Sequence, residues 1–256
     1  MVRLSRSLSA RGRKSNSSEG SIFMTQITSK TTNSISSDEH LLGDLFITVQ
    51  DSFVVDLTNK HTLITNKLNI DYNIKHMDNL GSLIFNGKNT NLNIRDDGNF
   101  NFGLDDFSID WWEYQLPISS NYGKDLPPIQ YSIYKDSFYK LQPFQIFNNP
   151  NKAINISSNG TDWNIADNKY MGMIEENEWT HWAITRSNSN FYAFKNGIIK
   201  NTWESEKAIN NSAGCLSLGS SPKGNSFFGY MDKIRTIKGT TLWIDEFKLT
   251  KEDLFY

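Results

Sequence analysis

Asp106-Phe-Ser-Ile-Asp-Trp-Trp-Glu-Tyr114 is the stretch on which the fold turns. A period of two sets Phe107, Ile109 and Trp111 on one face and Ser108, Asp110, Trp112 and Tyr114 on the other, as in a pleated strand. The first set reads as core. A second stretch, Trp179-Thr-His-Trp-Ala-Ile-Thr-Arg186, divides in the same way into Trp179, His181 and Ala183 against Thr180, Trp182, Ile184 and Arg186. Each of its faces carries an aromatic, so both faces are expected to be covered. Just beyond it, Asn196-Gly197 lies between apolar runs and supplies the positive φ angles that a type I′ hairpin needs.

Outward from these strands the rhythm persists: short apolar runs separated by clusters of Asn, Gly, Asp and Ser, with no long helical period and no solenoid repeat. That pattern predicts an all-β, antiparallel two-sheet sandwich. Asp44 to Leu57 and residues 62–72, rich in β-branched and aromatic types, predict leading strands. Residues 1–43 differ. They are dominated by Ser, Thr and Asn, and Arg3, Arg6, Arg11, Arg13 and Lys14 all precede the first acid, Glu19. This reads as an extended basic N-terminal arm ahead of one domain over 44–256. A transit-like peptide, or a true start at Met24, would give the same composition.

Composition narrows the function classes. Seven Trp, 10 Tyr and 16 Phe can fill a large two-sheet core. A net charge of −2 gives the molecule as a whole no drive toward nucleic acid or anionic membrane. Any nucleic-acid contact is confined to the arm, which has no interleaved aromatics for base stacking. Cys215, the only cysteine, excludes an intrachain disulfide and a cysteine-based zinc site, and its place among apolar positions predicts a small buried hydrophobe. No apolar run reaches membrane-spanning length, and no apolar block follows the N-terminus as in a secretory signal. The abundance of Asn, Ile and Lys suits an AT-rich genome.

From Ser82 to Tyr256 the order of segments resembles the laminin-G-like jelly rolls of the concanavalin A-like lectin and glucanase superfamily. Ser82-Leu-Ile-Phe-Asn-Gly87 is similar to the opening strand and Gly turn, and Asp106-Phe-Ser-Ile-Asp-Trp-Trp112 to D-F-T-I-E-F-W. Trp179, His181, Ala183, Thr185 and Arg186 match W-x-H-x-A-x-T-R. Phe194-Lys-Asn-Gly197 looks like the Y-x-D-G turn, and Phe228-Gly-Tyr-Met-Asp-Lys-Ile-Arg235 like G-Y-I-D-E-V-R. Leu242 to Tyr256 departs from the pattern by lacking the prolines that usually follow the last aromatic. The resemblance implies a jelly-roll sandwich over 82–256, with 44–81 as leading strands outside its span.

Some members of this superfamily are retaining glycosidases with an E-x-D-x-x-E strand. Here Ser108-Ile-Asp-Trp-Trp-Glu113 puts Ser108 at the nucleophile position, and a serine cannot replace a carboxylate there. Glu113 also alternates onto the face opposite Asp110. His181 has no partner histidine at ligand spacing and reads as a packed strand residue, and Asp232 and Arg235 read as a structural pair or as ties to adjacent backbone. Asp162 and Asp167 are the candidates for calcium, which the resemblance allows; two loop aspartates fall short of six to eight oxygens, so no cofactor is expected. An aromatic beside amide or carboxylate groups suits a sugar ring. Asp162, Trp163, Asn164 and Trp203 have that chemistry.

The expectation is a non-enzymatic recognition or structural module whose sandwich meets glycans or neighbouring subunits. Compact domains of this kind resemble those of virus and phage particles, such as capsid decorations and tail or fibre components, and the basic arm would attach the module to other structural proteins. A free-standing lectin is the first alternative. A glycoside hydrolase using carboxylates elsewhere is the second.

Overall fold

The computed structural model describes residues 43–76, 81–117, 129–137, 141–220 and 226–249, and among them there are strands and no helix. The strands are β1 (Leu45–Gln50), β2 (Phe53–Asp56), β3 (Leu63–Asn66), β4 (Asn69–Asp71), β5 (Ser82–Asn86), β6 (Asn91–Ile94), β7 (Phe107–Gln115) and β8 (Gln130–Lys135). They continue as β9 (Phe144–Asn149), β10 (Asn151–Ile156), β11 (Ala166–Gly172), β12 (Trp179–Ser187), β13 (Asn190–Lys195), β14 (Ile198–Glu204), β15 (Leu216–Leu218) and β16 (Phe228–Lys238). The first sheet runs β14-β13-β12-β7-β16-β1-β2, with β5 also on β16 and β4 on β5; the second runs β11-β10-β9-β8-β15-β6-β3. Successive strands β5 to β8 alternate between the sheets, as in a jelly roll.

The register bears out the alternation read from sequence. Trp182 lies opposite Trp111 and Ile184 opposite Ile109, and all four are fully buried between the sheets. Leu92, Ile94, Ile133, Ile146, Ile154, Ile156, Leu216 and Leu218 meet them from the second sheet. The leading strands belong to the same body: β1 pairs with β16 through Leu45–Thr236, Phe46–Arg235 and Ile47–Ile234. Leu45, Ile47 and Val49 enter the common core. The arm residues Arg3, Arg6, Arg11, Arg13 and Lys14 lie outside the described residues.

Two turns and one bulge set the geometry. Asn196 and Gly197 have φ of 52° and 77°, as the predicted I′ hairpin between β13 and β14 requires. The β1–β2 hairpin uses Asp51 and Ser52 at 49° and 68°, a positive-φ pair that carries no glycine signal in the sequence. In β16 the register to β7 shifts between Asp232 and Arg235, with Lys233 at φ 49°. Three residues apart, Asp232 and Arg235 would face opposite ways on a regular strand; the extra residue returns both to the outer face, opposite Trp112 and Asp110.

Cys215 corrects an expectation. It is half-buried, one residue before β15 begins, and its carbonyl accepts the Asp136 backbone N–H, so it sits at the sandwich edge and not in the core.

Candidate functional site

Glu113 projects inward from β7, as alternation predicts, and meets Lys152 of β10 with Nζ 2.6 Å from both carboxylate oxygens. Trp111 Nε1 donates to the same carboxylate at 2.9 Å, and Lys152 also donates to Ser132 Oγ at 2.7 Å. The ammonium lies over the rings of Trp111, Trp182 and Phe227. Burial lowers the Lys152 pKa, and Glu113 opposes that shift. Asp110 points the other way and is held by Arg235, Nε to Oδ1 at 2.9 Å and Nη2 to Oδ2 at 3.2 Å. The two carboxylates of the Ser108–Glu113 motif are thus on opposite faces, each neutralised by a buried cation. This strand offers no acid–nucleophile pair.

Over β7 and β12 the outer face of the first sheet is covered. His76 stacks on Trp112 with centroids 3.9 Å apart, bringing residues 72–76 across β7. The segment after β16 folds back over the same face: Leu242 N donates to Ser108 Oγ, Thr185 Oγ1 to the Trp243 carbonyl, and Phe247 N to the Gly197 carbonyl. Trp243 and Phe247 stack at 4.1 Å, each edge-on to His181. These hydrogen bonds close the terminal turn without the prolines missing from the sequence. His181 is the packed strand histidine expected, its Nε2 3.3 Å from Asp110 Oδ2. Asp232 ties backbone, as expected, by accepting from Lys233 N at 2.8 Å, and also accepts from Thr48 Oγ1 at 2.9 Å, while Arg235 is committed to Asp110.

On the outer face of the second sheet one row of side chains is buried. Cross-strand pairing aligns Asn93, Ser217, Tyr134, Gln145 and Asn155 in one row, and the last four are at most 7% exposed. Burial, with Asp136 nearby, raises the Tyr134 phenol.

Among the described residues, an open groove lies at the rim where the edge strands β11 and β14 come together. It has a volume of about 600 Å³ and is lined by Asn164, Ile165, Glu204, Ser205, Glu206 and Lys207. One wall is the Ser157–Ile165 loop. Its turn is fixed from within: Asn159 Oδ1 accepts from Thr161 N and Asp162 N, and Asp162 Oδ2 accepts from Asn159 Nδ2 and Thr161 Oγ1. Asn164 Oδ1 accepts from Ser158 N at 2.9 Å, which orients the amide. Lys207 Nζ reaches across to the Asn164 carbonyl at 3.3 Å, and Glu204 accepts from Ser189 Oγ at 3.1 Å. The walls are tied to each other and to the sandwich, so the groove is preformed.

Of the residues singled out in the sequence for a sugar, Asn164 lines the groove, whereas Trp203 precedes the lining residue Glu204 in β14 and packs against the core. Trp203 is half-buried and stacks on Phe191 at 5.2 Å and 7°, so one ring face is spent on the core. Trp163 is half-buried and Asp162 exposed in the adjoining turn. Glu204, Glu206 and Lys207 were not singled out; no local motif marks residues that reach Asn164 only because two edge strands meet. Asp162 and Asp167 are both exposed, and among the described residues no group of three or more His, Cys, Asp or Glu side chains is placed to hold a metal ion.

A family model described as the concanavalin A-like lectin/glucanases superfamily matches residues 86–240. The chain belongs to that concanavalin A-like superfamily. No curated protein matches it. Among solved structures, this concanavalin A-like chain is similar to the binding domain of Paraclostridial Mosquitocidal Protein 1, with TM-score 0.59 and 16% identity over 82% of this chain and 50% of that one. It is also similar to domain 4 of AbnA, an extracellular GH43 arabinanase from Geobacillus stearothermophilus solved with arabinotriose: TM-score 0.53, 15% identity, 73% of this chain and 87% of that one. A third is the botulinum neurotoxin DC binding domain solved with rat synaptotagmin II, at TM-score 0.58 and 14% identity over 85% and 51%. The chain spans about half the length of the two toxin domains.

Proposed function

We propose that this protein is a non-catalytic recognition module that binds a saccharide in the rim groove between β11 and β14. The observation that carries this reading is that the groove is open, preformed and lined by amide, hydroxyl, carboxylate and ammonium groups, while the outer face over β7 and β12 is covered by the segment after β16. Such convergent polar groups beside an apolar wall, here Ile165, can orient a ligand rich in hydroxyls. The arabinotriose complex of the AbnA domain supports a sugar as ligand. The neutralised carboxylates of β7 support binding without hydrolysis.

Membership of a larger assembly, such as a virus or phage particle, is the finer form of the proposal. It is supported by the five cations of residues 1–43 that precede Glu19. In that setting the arm attaches and the groove is displayed.

The test is a glycan microarray probed with the full chain and with Asn164→Ala/Lys207→Ala. The proposal expects saturable capture by the parent and at least a tenfold loss in the variant, with the cooperative unfolding transition retained. Absence of capture, or equal capture by both proteins, would show that the groove is not a saccharide site.

A further inference from the structure

The charge of the groove points beyond saccharide binding in general. Two carboxylates, Glu204 and Glu206, line it against one ammonium, Lys207, and that ammonium already donates to the Asn164 carbonyl. Exposed Asp162 and Asp167 flank Asn164 and Ile165 in the chain without lining the groove. Among the described residues no arginine lines the groove; Arg186 lies buried behind it, with Nη2 donating to the Ser205 carbonyl at 3.5 Å. A bidentate guanidinium is the group that recognises a sugar carboxylate or sulfate best. Carboxylates, by contrast, accept hydrogen bonds from hydroxyls, and one carboxylate can take two neighbouring hydroxyls of a ring.

We infer that the groove selects uncharged saccharides and rejects sialylated, uronic or sulfated ones. The inference rests on the saccharide reading above and adds the ligand class. Glu204 and Glu206 receive sugar hydroxyls, Asn164 supplies an amide, and the same two carboxylates repel an anionic sugar. Because both glutamates are exposed, the repulsion is screened by salt over about 8 Å at physiological ionic strength and over about 3 Å at 1 M. Discrimination against acidic glycans therefore narrows as salt is raised.

The test uses the full chain and a Glu204→Gln/Glu206→Gln variant on an array in which each neutral glycan is paired with its sialylated and sulfated forms. Titrations of the best neutral member and its acidic partners follow, at 0.15 M and 1 M NaCl. The expected result is at least tenfold weaker binding of the acidic partner by the parent at 0.15 M. That ratio falls to about twofold or less at 1 M salt and in the variant. Acidic partners that bind as well as or better than the neutral ones overturn the inference and leave the saccharide reading intact. So does a ratio that neither the substitutions nor salt changes. Loss of all glycan binding in the parent overturns both.

Discussion

Glu113 and Lys152 show how much of this molecule is decided by single side chains. An ion pair fully buried among Trp111, Trp182 and Phe227 pays a desolvation cost of several kcal/mol per ion, and only the short contacts and the added bonds to Ser132 and Trp111 Nε1 offset it. Removing one partner leaves the other uncompensated. Glu113→Gln is expected to destabilise by about 3–5 kcal/mol in urea unfolding, whereas Glu113→Leu/Lys152→Met recovers most of that loss. A single variant with parental stability would mean that the pair carries no net interaction. His76 gives a pH signature. Burial first, then Lys233 and His181, depress its imidazole from 6.5 to about 3; Asp110 and Arg235 face the same cluster through His181. The unfolded chain therefore takes up this proton first, so the His76 contribution is complete above about pH 6.5 and is lost as pH falls toward 3. His76→Phe, which keeps a ring against Trp112, is expected to flatten the fall in stability between pH 6.5 and 4. An unchanged slope would assign the acid sensitivity elsewhere. Alternation alone placed Glu113 on the inner face and Asp110 on the outer one. It could not name their partners, because Lys152 and Arg235 reach them through sheet-to-sheet packing and through a bulge.

At the level of elements, local chemistry was legible where it is written in glycine and aromatic spacing. Asn196-Gly197 announces its hairpin, and the structure adds a second reason for the glycine: a Cβ at 197 would fall 2.0 Å from the Phe247 carbonyl oxygen. Gly197→Ala is expected to cost about 1–3 kcal/mol and to loosen the segment after β16. Faster proteolysis near Trp243 is the readout, and an unaltered cleavage pattern would show that the segment docks without the Phe247–Gly197 bond. The Asp51-Ser52 turn carries no such mark and was not legible. Neither was the bulge at Lys233, since a lysine at positive φ leaves no trace in the residue pattern. Asp232 and Arg235 could be read as structural residues, but the shared face that unites them depends on that extra residue.

For the whole molecule, the sandwich was legible from its rhythm and family-like segments, while the extent of the body was not. Residues 44–71 lie ahead of the family match that starts at 86, yet β1 completes the first sheet against β16 and adds Leu45, Ile47 and Val49 to the core. A chain beginning at Gly43 is expected to unfold in one cooperative transition, and a chain beginning at Ser82 to lose that transition, as followed by tryptophan fluorescence in urea. Equal stability of the two would make the leading strands accessory. The groove is a property of this same scale. Asn164 and Glu204 are forty residues apart and become neighbours only because the two sheets end in edge strands on one side. A saccharide held at this rim leaves the outer faces of both sheets untouched. The most direct measurement is an amide NMR titration of the isotopically labelled chain with arabinotriose or the best neutral array glycan. Shift changes confined to residues 157–167 and 203–209 are the predicted result; changes centred on the outer faces of β7, β12 and β16, or of β8, β9 and β10, would contradict it.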